Sequence, residues 1–287
     1  MSLLQNKRAI ILFGSLEMGG AERQGLMLAR YLKAQEGVNA EDWGLGSGRG
    51  PVADCCEELS IPWKTVSLHW GIRFRYFHLI RLLHWLRSAN PDILIPYTRV
   101  PNLASGLLWR LAGCKSMIWN QADEGLLLNW SFLHQAAIKL TPHFIVNSYA
   151  ASELLSNTFC VDPKQIQFIK NGVSAGVAIN SREFWRKRLA AGEGRMIATM
   201  LANFTVYKDH FTLLHAWRRL VEYYQEIDQQ PPLLVLAGRL EETATEVLRQ
   251  IEVSGLPDAV RVIGYTNDSF GLLLASEIGR ASCRERV

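Results

Sequence analysis

The chain alternates short apolar runs with stretches that place apolar residues at helical spacing. Ala9 to Phe13 is apolar at every position, which predicts a strand buried on both faces of a parallel sheet. A glycine loop follows. Ala21, Gly25, Leu28 and Leu32 then recur at helical spacing, completing a strand–loop–helix unit. Gly44 to Pro51 is glycine-rich and predicts a loop, and Ile61 to Leu68 a short strand. Tyr76, Leu79, Leu83 and Leu86 mark one face of a helix, which Asn90-Pro91-Asp92 ends, because proline disfavours helix in the residue before it. Further strands are predicted at 92–95, 116–119, 144–146 and 165–169, with a helix over 103–111 closed by Gly113.

After a stretch with a short basic helix, the pattern restarts. Met196 to Leu201 predicts a strand, and Leu213, Trp217, Leu220 and Tyr224 one face of a helix. Leu233 to Ala237 predicts a buried strand, Thr243 to Glu246 a capping box, Val260 to Ile263 another strand, and Leu272 to Ala275 the start of a helix. The fold class is therefore α/β, with two Rossmann-like lobes and the second incomplete. The boundaries are 1–175 for the first lobe, 176–194 for a linker, 195–276 for a partial second lobe and 277–287 for a non-native tail. Arg280, Arg284 and Arg286 stand where another buried strand is expected, and an apolar core does not accept that pattern.

Composition narrows the class. Of 287 residues, 48% are hydrophobic and 20% charged, which is globular. Met1 to Lys7 has no signal-peptide pattern, and Ala9 to Leu16 is too short to span a bilayer, so a soluble cytoplasmic protein is expected. The five cysteines show no metal-ligand spacing, and His210 with His215 lacks clear partners, so no metal is expected. Residues 1–180 hold 17 Lys/Arg against 13 Asp/Glu, and the remainder is balanced. No acid lies between Leu59 and Pro91, where Arg73, Arg75 and Arg81 alternate with Trp70, Phe74, Tyr76 and Phe77. Three readings stand for this window: a solvated helix face, docking to anionic lipid on the inner face of the membrane (Arg73, Arg75 and Arg81 as contacts), and nucleic-acid binding. The low overall charge argues against the last.

Gly14 to Gly20 joins a strand to a helix, a place where backbone N–H groups receive anions. The spacing fits neither a P-loop nor the dinucleotide fingerprint, and a tight structural turn explains the glycines equally well. Glu22 lies in the helix's first turn, where the dipole favours a carboxylate in any case. Asp123, after a strand end, reads as an acceptor-binding group or as a helix cap.

Gly19-Gly20-Ala21-Glu22-Arg23 resembles the first-lobe signature of the retaining family-four glycosyltransferases, which have the GT-B fold. Phe144 to Ser148, Lys170-Asn171-Gly172-Val173, Met196 to His210, Leu233 to Gly238, Val260 to Gly264 and Asn267 to Ala275 resemble later segments of that family in the same order. The resemblance implies two lobes facing a cleft, and transfer of a sugar from a UDP- or GDP-linked donor to a glycan or lipid-linked acceptor with retention, as in polysaccharide biosynthesis. It assigns Gly19, Gly20 and Lys208 to the donor phosphates, Glu22 and Asp123 to the acceptor, and Asn171 and Gly172 to the interlobe turn. It implies no cofactor beyond the nucleotide-sugar donor. The sequence departs from the family in lacking an arginine shortly before Lys208, and the family's donor-site glutamates lie beyond position 276. The chain is therefore expected to be an inactive fragment of a transferase. Two alternatives stay open: a noncatalytic glycan- or membrane-binding module, and a nucleotide-sugar epimerase of the same fold.

Overall fold

The computed structural model describes residues 4–46, 48–68, 75–122, 131–173 and 176–281. It divides into two compact units, Met1–Val173 and Ser174–Val287. In chain order the first unit holds β1 (Arg8–Phe13), α1 (Gly20–Glu36), β2 (Asn39–Gly44), α2 (Pro51–Glu58), β3 (Trp63–Thr65), α3 (Arg75–Ala89), β4 (Ile93–Pro96), α4 (Arg99–Leu108), β5 (Ser116–Gln121), α5 (Phe132–Leu140), β6 (His143–Val146), α6 (Tyr149–Glu153) and β7 (Ile166–Phe168). The second holds α7 (Arg182–Arg188), β8 (Ile197–Leu201), α8 (His210–Glu226), β9 (Leu233–Ala237), α9 (Ala244–Val253), β10 (Val260–Gly264), α10 (Ser269–Leu274) and β11 (Ile278–Ala281).

Among the described residues the first sheet has seven parallel strands in the order β3-β2-β1-β4-β5-β6-β7. The order runs outward in both directions from β1, so β1 and β4 flank the topological switch point, where open α/β sheets form their ligand crevice. Alternation along β1 divides the core. Ile10 and Leu12 enter one apolar cluster, with Trp43, Leu94 and Trp119, while Ala9, Ile11 and Phe13 enter another, with Leu26, Ala29 and Val52. The second sheet is also parallel, in the order β10-β9-β8-β11, which puts its switch point between β8 and β11. Leu234 and Leu236 face one cluster there and Leu233, Val235 and Ala237 the other.

Several expectations change. The loop expected over Gly44 to Pro51 joins β2 to α2, two elements that the sequence pattern did not predict. Asn39, Glu41 and Asp42 hide β2 from a hydrophobicity reading, and α2 opens with Gly50 as N-cap and Pro51 in its first turn. In α3 the buried face is Leu79, Leu82, Leu86 and Ala89, and Tyr76 is 70% exposed. Thr243 precedes α9 with helical dihedrals and makes no capping bond, so the capping box does not form; the Glu246 carboxylate instead accepts from the Arg249 guanidinium. Within 176–194, α7 buries Trp185, with Leu189 just beyond it, against α10. Asp268 ties that stretch down by accepting from the Ile179, Asn180 and Gly271 amides, Asn180 Nδ2 and Trp185 Nε1. Burial alone would raise the Asp268 pKa, but these donors hold it far below the usual carboxylate range. Glu277 accepts from the Ile197 amide and pairs with Arg182 and Arg186, and the following residues 278–281 add β11 beside β8.

Asp42 on β2 is fully buried. Its Oδ2 accepts from the Cys56 thiol at 3.3 Å, and its Oδ1 has no partner. Burial pushes its pKa up to about 7 and outweighs the opposing effect of the Cys56 bond. Because the folded value exceeds the unfolded one, the folded state binds the proton more tightly, and stability falls as pH rises from about 4 through 7. The full loss is about 4 kcal/mol. Asp42→Asn should therefore unfold at a higher temperature than the native chain at pH 8, with the gap narrowing toward pH 5, as followed by thermal melts across that range.

Candidate functional site

Each switch point is taken on its own. In the first unit, β1 ends at Phe13 and the chain turns at Gly14. A Cβ on Gly14 would lie 3.3 Å from Thr98 Oγ1, so the chain just beyond β1 runs close to the chain just beyond β4. Gly19 is the N-cap of α1 and makes no side-chain cap. The glycines differ in what they do. A Cβ on Gly20 would meet nothing within 4 Å, so open space, not crowding, surrounds it. A Cβ on Gly19 would lie 2.5 Å from Glu22 Oε2. The Glu22 carboxylate thus lies over the N-terminus of α1, in the place an anion would take. The steric need for glycine is instead at Gly25, packed on the Phe13 ring, and at Gly50, pressed on the Leu16 carbonyl.

The turn at Asn171 and Gly172 is exposed but anchored. Gln24, on α1, donates from Nε2 to the Gly172 carbonyl at 2.7 Å and accepts from the Gly172 amide at 2.9 Å. The side-chain amide pairs with the backbone as a neighbouring strand would. Gln24 directly follows the Gly-Gly-Ala-Glu-Arg signature, and nothing in the sequence marks its contact with Gly172. Asp123 and Arg73 lie outside the described residues. Arg75 begins α3, and Arg81 is exposed on it, beside Tyr76, Phe77 and Ile80, each at least 64% exposed. Lys64 and Trp85 have a different role. The Lys64 ammonium sits 3.6 Å from the Trp43 ring centre and 4.8 Å from that of Trp85.

In the second unit, Lys208 ends a short 3-10 turn, Val206–Lys208, that follows the carboxyl end of β8. Asp209 has φ +48° and accepts from the Thr212 amide, so it caps α8. His210 is buried and stacks on Phe204 with ring centres 4.5 Å apart. Its burial lowers its pKa and keeps the ring neutral. Among the described residues no group of three or more His, Cys, Asp or Glu could hold a metal ion. Beside this loop, Gly238 leaves no room for a side chain against the Ala202 carbonyl. The next residue, Arg239, donates its amide to Asn203 Oδ1, and its side chain pairs with Glu241 at 3.1 Å. A second cation thus stands at the carboxyl edge of the second sheet, on β9's end. In sequence Arg239 lies well after Lys208, whereas the family resemblance places an arginine shortly before that lysine.

Residues 18–176, more than half of the chain, match the model of Glycosyltransferase Family 4. The chain belongs to that family. Its fold is of the GT-B class, as solved structures at low identity show. Anabaena Alr3699/HepE in complex with UDP-glucose superposes with a TM-score of 0.77 at 15% identity, covering 96% of this chain and 74% of that one. WaaG, a glycosyltransferase involved in lipopolysaccharide biosynthesis, gives 0.71 at 15%, covering 97% and 75%. A putative UDP-N-acetylglucosamine 2-epimerase from Listeria monocytogenes gives 0.63 at 14%, covering 96% and 74%. No curated protein sequence matches the chain.

The Gln24 clamp makes a local prediction. In Gln24→Ala the Gly172 amide loses its acceptor. Its hydrogen exchange should quicken at least tenfold while amides in β1 keep their rates; unchanged exchange at Gly172 would show the clamp to be idle.

Proposed function

We propose that this protein transfers a sugar from a UDP- or GDP-linked donor to a glycan or lipid-linked acceptor, with retention at the anomeric carbon. The observation that carries the reading is Lys208, on the loop leaving β8 at the switch point of the second sheet, in a chain of this family. The similar Anabaena protein binds UDP-glucose, which supports a uridine donor. Charge grows on the diphosphate as it leaves. Fixed cations stabilise it best where water is excluded. Lys208 supplies one cation, and Arg239 takes the place of the arginine missing before it, once it exchanges Glu241 for phosphate oxygen. Gly19 and Gly20, whose amides open α1, are assigned to the donor phosphates, and Glu22 to the acceptor. Asp123 is an acceptor contact. The family match favours transfer over epimerisation, and the products separate them, since an epimerase needs no acceptor.

Calorimetric titration with UDP and GDP tests the donor site. Lys208→Ala should weaken the tighter nucleotide at least tenfold, and Arg239→Ala by a similar factor. Wild-type affinity in Lys208→Ala would remove the donor assignment.

The exposed face of α3 adds a membrane contact to this reading. Tyr76, Phe77 and Ile80 lie beside Arg81, in a window of sequence without acids, and no described helix is long and apolar enough to cross a membrane. Such a face suits an interfacial location beside an anionic leaflet, on the inner side of the membrane. Neutralising Arg73, Arg75 and Arg81 together should reduce sedimentation with phosphatidylglycerol vesicles in low salt at least tenfold. At about 1 kcal/mol for each basic residue, equal binding by the two proteins would reject the contact.

A further inference from the structure

We infer that the Glu241 carboxylate stands in for a phosphate group at the carboxyl ends of β8 and β9, and that it sets the affinity for the donor by competing with it. The inference rests on the transferase reading for the word donor. The anion site itself stands on contacts within the second unit.

Two donors of different kinds converge there on one oxygen. Arg239 Nε lies 3.1 Å from Glu241 Oε1, and Asn203 Nδ2 donates to that same oxygen at 3.3 Å. The other end of the Asn203 amide is also engaged, because its Oδ1 accepts from the Arg239 backbone N–H at 3.1 Å. Asn203 therefore fixes the backbone of Arg239 and aims its own N–H at the place the guanidinium reaches. A guanidinium and an amide N–H aimed at one point make a site for an oxyanion, and a carboxylate oxygen fills it here.

The frame around this site does not depend on the Glu241 side chain. The Phe204 amide donates to the Arg239 carbonyl at 2.9 Å, and the Thr243 amide to the Phe204 carbonyl at 3.1 Å, which laces the loop after β8 to the loop after β9. Glu242, one residue on and of equal charge, accepts from the Val206 amide at 3.4 Å. Glu241 can thus swing out while both loops and both donors stay in place. The side chains of Arg239 and Glu241 are each 33% exposed, so water reaches the pair and it holds weakly. A phosphate brings more negative charge and further oxygens to the same donors, and displaces the carboxylate. A ligand carrying only a carboxylate brings no more charge than Glu241 and gains nothing by the exchange. Glu241 is in this sense a filter: it makes every anion at Arg239 compete, and a phosphate competes best.

The test is calorimetric titration of the full chain with UDP and, separately, with pyrophosphate, in low salt. Glu241→Gln keeps the shape of the side chain and an acceptor oxygen for Asn203, and loses the charge. It should bind both ligands about two- to fivefold more tightly than wild type, the range of an exposed ion pair. In the Arg239→Ala background the same change should give no gain, because the competition acts through the guanidinium. Glu242→Gln should leave both affinities close to wild type. Unchanged affinity in Glu241→Gln would overturn the inference, and so would a loss, which would assign Glu241 to holding Arg239 in position. An equal gain in Glu242→Gln, or a gain that survives the removal of Arg239, would overturn it too, by making the effect one of overall charge. Pyrophosphate binding without UDP or GDP binding would sink the transferase reading, and the pyrophosphate affinities would then decide the inference alone. Pyrophosphate bound by neither wild type nor Glu241→Gln would overturn it.

Discussion

β1 is the strand on which the first unit depends. It is apolar on both faces, and its side chains alternate between two separate cores. Full burial of each large side chain contributes roughly 1.5–3 kcal/mol, so the strand has no favourable position other than the middle of the sheet. Parallel pairing on either side then makes every strand point the same way. The loops leaving their carboxyl ends converge by necessity, and Gly14 and Thr98 lie close because β1 and β4 are neighbours. The second sheet repeats the arrangement around β8, and the Lys208 loop leaves from the corresponding place.

The strand and helix pattern was readable where burial is uniform. Ala9 to Phe13 and Leu233 to Ala237 are apolar throughout and became β1 and β9. Reading failed where one polar residue is buried or one apolar residue exposed. Asp42 disguised β2, and Tyr76 shifted the expected face of α3 by one position from the buried Leu82. The short basic helix expected in the linker 176–194 forms as α7, but sequence gives no sign that its Arg182 and Arg186 would meet Glu277.

The candidate site was legible through its backbone signals more than its side chains. Glycine pairs and a lysine after a strand mark loops by their local chemistry. Gln24 and Arg239 carry no local signal, since each is placed by a neighbour distant in sequence: Gly172 and Asn203. Such residues emerge only once the sheet has brought the strand ends together.

The Lys64 sandwich bears on the outer edge of the first sheet. β3 is an edge strand of three residues, and an unpaired edge invites another chain to add to it. The lysine in its middle is fixed between Trp43 and Trp85, so its charge cannot swing aside to admit a neighbouring strand. Burial lowers its pKa, so holding the proton there has a cost that an ordinary surface lysine would not carry. The two rings thus hold a charge in place on a short edge strand, where a charge disfavours the addition of another strand.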